Sequence, residues 1–117
     1  MHVENIIGEE EIYARLGIPL NDNTRKQFTL FLKAMRIFVD REEVHHSLWA
    51  EFDEGDAAHH MRSKLMRIQH ALSFIDLPDN PDRIYNVMDD ALDLMNYTAF
   101  LMRHLLGWKP DQSGEAA

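Results

Sequence analysis

The chain has no cysteine, which rules out disulfides, thiolate catalysis and cysteine-based zinc sites. Basic residues are also scarce. Twelve Lys and Arg stand against twenty Asp and Glu, a formal charge of −8. A nucleic-acid polymer is therefore not the expected partner, because affinity for a phosphate backbone comes from basic residues. Free nucleotides stay within reach, since a divalent metal can bridge carboxylates to phosphates. No apolar run approaches the roughly 18 residues of a membrane span, and no signal peptide is read at the N-terminus. A cytoplasmic protein that does not engage membranes is expected.

Hydrophobic residues make up 45% of the 117 positions, enough for one folded domain but not for two large cores. No strand-like alternation is evident, and Gly and Pro serve as punctuation. Glu9 to Leu16 reads as a short helix stopped by Gly17 and Pro19, with Asn21, Asp22 and Asn23 as turn and capping residues. A long helix is predicted from Thr24 to Phe52, with Phe28, Phe31, Leu32, Met35, Phe38 and Val39 sharing a face. Asp53-Glu54-Gly55-Asp56 breaks it, and Asp56 is expected to cap a second long helix that runs to Asp76. Leu77 to Pro81 is a loop, Asp82 suits the positive end of a third long helix, and Gly107 ends that helix. The fold class is all-α: three long helices plus a short N-terminal one, a bundle completed by dimerisation. The domain spans residues 1–108, and 109–117 form a mobile tail.

The last helix is the most informative. Ile84, Val87, Met88, Ala91, Met95, Thr98, Ala99, Met102 and Leu105 make one apolar stripe. Asp89, Asp93 and Asn96 share the opposite face with Tyr97 and Phe100. Carboxylates flanked by aromatic rings point to a partly enclosed cluster, which needs a metal, Lys or Arg as counter-charge. In the first long helix Glu42 lies on the apolar stripe with His46 four residues on and Trp49 seven on, while Glu43 and His46 offer a second pairing. Either pair has the spacing to hold one cation. Simple solvent exposure at the end of the stripe accounts for the same pattern. On the second helix His60, Lys64 and Arg67 form a basic ladder, suited to a triphosphate or to an interhelical salt bridge.

Two stretches carry a family resemblance. Ser63-Lys64-Leu65-Met66-Arg67-Ile68, then Asp89-Asp90-Ala91-Leu92-Asp93-Leu94-Met95-Asn96-Tyr97, resemble the small bacterial and phage members of the MazG-like, all-α nucleoside triphosphate pyrophosphohydrolase superfamily. The likeness covers residues 41–106. It implies hydrolysis of an α–β phosphoanhydride, giving a nucleoside monophosphate and pyrophosphate, with Mg²⁺ (or Mn²⁺) as cofactor and a homo-oligomer as the working form. It further implies metal ligands among Glu42, Glu43, His46, Asp89, Asp90 and Asp93, with Glu42 and Asp93 as catalytic carboxylates. His60, Lys64, Arg67, Asn96 and Tyr97 become the substrate-binding set. The first acidic motif departs from the superfamily's Glu-x-x-Glu, with His45 and His46 where a second Glu would follow.

Two other classes compete. An acidic helical interaction protein, an inhibitor or decoy of a basic partner, needs Asp89 and Asp93 at the surface. A di-iron bundle is suggested by Glu43-x-x-His46, but its only second copy, Asp56-x-x-His59, is poor and sits at a helix start.

Overall fold

A computed structural model describes residues 8–45 and 53–108. Among these residues there is no strand, and four α-helices follow in order: α1 (Glu9–Leu16), α2 (Asp22–His45), α3 (Glu54–Leu72) and α4 (Pro81–Leu106). A 3₁₀ turn at Leu77–Asp79 leads into α4. No helix among the described residues is long and apolar enough to cross a membrane. The expected helix over 46–52, with His46 and Trp49, lies outside the described residues.

The chain divides into two compact units at the Leu32–Lys33 boundary. In the first, α1 is tied to the start of α2. Tyr13 is buried, its ring 5.4 Å from that of Phe28, and Arg25 meets both carboxylate oxygens of Glu9 at 2.7 and 3.3 Å. The Glu9 hydrogen bond and charge raise the Arg25 guanidinium above its ordinary pKa. Gly17 ends α1 in the left-handed conformation (φ 71°), which costs glycine little. Asn21 and Thr24 cap α2 reciprocally, each side chain accepting from the other's amide at 2.9 and 3.1 Å.

The second unit is built on an antiparallel α3–α4 hairpin. Its caps differ by one step from the sequence reading. Asp53, not Asp56, is the N-cap of α3, and Asp56 is its third helical residue, completing a capping box. Two acids three apart each have the chemistry of a cap, and in the reciprocal pair it is the first that takes the N-cap position. Helix α3 ends at Leu72, four residues before the expected Asp76. The Ser73 hydroxyl donates to the His70 carbonyl there, closing the turn. Asn80 caps α4 by accepting from the Arg83 amide at 3.1 Å, with Asp82 in the first turn and Gly107 (φ 71°) as the left-handed stop.

The apolar packing is thin. Tyr13, Ala34 and Ala57 are the buried apolar residues among those described, and no large side chain is fully buried. On α4 the face turned toward α2 and α3 is the one with Asp90, Asp93, Tyr97 and Phe100. Ile84, Met88, Met102 and Leu105 of the apolar stripe are exposed.

Candidate functional site

Four contacts set the register of α3 against α4. Phe74 lies under the Arg83 guanidinium (3.7 Å to the ring centre), Arg67 Nε is 3.3 Å from Asp90, Lys64 Nζ is 3.0 Å from Asp93, and His60 stacks on Tyr97 with ring centres 4.8 Å apart. From Phe74, two residues past the end of α3, back through Arg67, Lys64 and His60, and from Arg83 on along α4, the steps are seven, three and four residues on each side. That is the periodicity of two helices facing each other along one seam. The seam is filled not with Leu and Ile but with charges and rings.

At its centre Asp90 and Asp93 are 5% and 3% exposed. Lys64 reaches both, with Nζ 3.0 Å from Asp93 Oδ2 and 3.6 Å from Asp90 Oδ1. Arg67 closes on Asp90 Oδ2, and Arg41 from α2 comes within 2.8 Å of Asp93 Oδ1. Three cations thus face two buried carboxylates. Burial of this kind requires them, because an unpaired carboxylate taken out of water costs several kcal/mol. The two arginine side chains remain at least half-exposed, so their charged heads keep much of their hydration.

One atom in the cluster is not fully served. Asp93 Oδ1 is buried and accepts no hydrogen bond, although Arg41 Nη1 is only 2.8 Å away. The contact is therefore a Coulombic one in which no N–H of Arg41 points at the oxygen.

The expected site residues fall into three groups. Lys64, Arg67, Asp90 and Asp93 come together. Asp89 is half-buried beside them on α4, Glu42 is half-buried on α2, and Glu43 is exposed. His60, Tyr97 and Asn96 are half-buried along the same seam and are committed to protein partners. The first two stack on each other at 9° between ring planes, and Tyr97 also meets the edge of Phe100. Asn96 Nδ2 donates to the Ala34 carbonyl of α2 at 3.0 Å, an approach that the small Ala34 side chain permits. His46 lies outside the described residues. Arg41 has no role in the sequence reading, yet it is a direct partner of Asp93. Its position three residues after Phe38, which packs on Phe100 at 5.9 Å, was the available signal that it shares the packed face of α2.

Among the described residues no group of three or more His, Asp or Glu side chains is gathered for a metal. Mg²⁺ does not require one. It is commonly held by one or two carboxylates together with phosphates and water. Asp90 and Asp93 have that donor chemistry, and Asp93 Oδ1, which accepts no hydrogen bond, would be open to such an ion once Arg41 moves off it. Compared with models of known families, with curated proteins and with solved structures, the chain shows no match.

Proposed function

We propose that this chain is a MazG-like nucleotide pyrophosphohydrolase, working in the cytoplasm as a homo-oligomer on a ribo- or deoxyribonucleoside triphosphate. One observation carries the reading. The Lys-x-x-Arg of α3 and the Asp-x-x-Asp of α4, separated in sequence by the end of α3, a loop and the first third of α4, meet as one ion cluster around two buried carboxylates. A cluster of carboxylates and cations is the chemical complement of a metal triphosphate. Carboxylates suit the cation, and Lys and Arg suit the phosphates.

Asp90 and Asp93 are the carboxylates that would hold Mg²⁺ (or Mn²⁺). When bound, the ion neutralises phosphate charge and acidifies a coordinated water. Lys64 holds phosphate oxygens from a nearly buried position, and Arg41 and Arg67 swing from their carboxylates to the triphosphate. Water attacks the α-phosphorus, the bridging oxygen departs with pyrophosphate, and Glu42 accepts the proton. The proposed exchange of partners needs mobile cations, and both arginines have the solvent access for it.

A second reading, a non-enzymatic helical interaction protein, is favoured by a different fact: each buried carboxylate already has cations within 4 Å. On that reading the cluster only fixes the helix register. A panel of nucleoside triphosphates with Mg²⁺ or Mn²⁺, followed by pyrophosphate release, separates the two. Release abolished by EDTA supports the hydrolase. Silence across the panel, with no metal-dependent thermal shift, supports the interaction protein.

A further inference from the structure

Read outward from Met95, the apolar face of α4 has the same residues in both directions, save that Ile84 stands opposite Leu106. Counting outward from Met95, Ala91 and Ala99 stand four residues away, Met88 and Met102 seven, and Ile84 and Leu106 eleven. These seven residues share the side of α4 turned away from the ion cluster. Ile84, Met88, Ala99, Met102 and Leu106 are exposed, Met102 and Leu106 by 56% and 58%, and Ala91 and Met95 are half-buried. No charge falls on this face. Asp89, Asp90 and Asp93 are on the other side, and Arg103 lies at the flank over the Phe38 ring. Thr98, at the edge, satisfies its hydroxyl on the Leu94 carbonyl at 2.7 Å and brings no unpaired donor.

We infer that α4 pairs antiparallel with α4 of a second copy, about a two-fold axis at Met95. A two-fold interface demands that each residue meet its counterpart reciprocally. The order Ile-Met-Ala-Met-Ala-Met-Leu meets that demand with itself: Ile84 against Leu106, Met88 against Met102, Ala91 against Ala99, Met95 against Met95. The alanines let the backbones approach, and the methionines fill the irregular space between them. The face runs for about 33 Å at 1.5 Å per residue. The inference rests on the self-assembly part of the proposed function and is independent of the nucleotide chemistry.

The absence of cysteine makes the test free of background. Light scattering on the full chain is expected to give a dimer or a multiple of it. Under mild oxidation Met95→Cys should link two copies through a disulfide. Met88→Cys alone should not link, because its symmetry mate lies 14 residues along, about 21 Å away. A mixture of Met88→Cys and Met102→Cys chains should form the mixed disulfide. A monomer by light scattering overturns both self-assembly and the seam. An oligomer in which Met95→Cys does not link overturns the seam alone. Self-linking of Met88→Cys overturns the antiparallel register.

Discussion

Lys64 is the side chain on which the ion cluster most depends, and its replacement by methionine isolates what burial does to an ion pair. Lys64→Met keeps most of the stem's volume and removes the one cation that touches both Asp90 and Asp93. Removing one partner of a buried pair typically costs about 3–5 kcal/mol. Arg41 and Arg67 stay, one on each carboxylate, so the low end, about 3 kcal/mol, is expected. For a chain of this size that is a fall of roughly 10 °C in Tm. The control is Lys26→Met. Its ion pair with Asp22 is closer, 2.8 Å, but the two side chains are 74% and 73% exposed. An exposed pair of this kind contributes under about 0.5 kcal/mol. Distance alone therefore ranks Lys26 above Lys64, and burial reverses the order. The double variant Lys64→Met/Asp93→Leu removes charge of both signs, and should recover about 1–3 kcal/mol of the Lys64→Met loss, because the carboxylate left short of a cation is gone. Urea titrations followed by circular dichroism, at one fixed protein concentration, measure all three. Equal, small losses for Lys64→Met and Lys26→Met would refute the argument from burial.

Smaller effects are expected elsewhere. Asp53→Ala, which opens the capping box of α3, should cost about 1 kcal/mol by the same titration; no change would mean that the helix start is held by other contacts. Asn96→Ala removes the bond to the Ala34 carbonyl and should cost about 1–2 kcal/mol, with earlier hydrogen exchange at the α2 backbone around Ala34. Gly107→Ala forces a side chain into the left-handed region and should lower stability by about 1 kcal/mol, read as a shift in thermal midpoint.

Local chemistry made the helices legible. Gly17 and Gly107 act within a few residues of where they sit, so the ends of α1 and α4 follow from them directly. Periodicity identified which α4 residues share a face. It said nothing about which face another helix covers, and the packed one is the polar, aromatic side. The interleaving of Tyr97 and Phe100 with acids was the legible clue, and both rings lie on packed contacts. Arg41 was not legible in the same way. Its pairing with Asp93 joins positions more than fifty residues apart, and no spacing rule reaches that far. Asn96 shows the opposite case. Its amide has the chemistry to read a base, but its Nδ2 donates instead to the Ala34 carbonyl of α2.

The most direct measurement of the proposed activity is pyrophosphate release from a full panel of ribo- and deoxyribonucleoside triphosphates with Mg²⁺, for the unaltered chain, Asp93→Asn and Lys64→Met. The unaltered chain should turn over one or a few nucleotides and stop on addition of EDTA. Asp93→Asn should lose turnover while retaining helicity and triphosphate binding, because it removes a carboxylate and leaves all three cations. Lys64→Met should weaken triphosphate binding more than monophosphate binding. Turnover undiminished in Asp93→Asn, or none by the unaltered chain with any nucleotide, would contradict a catalytic role for the cluster.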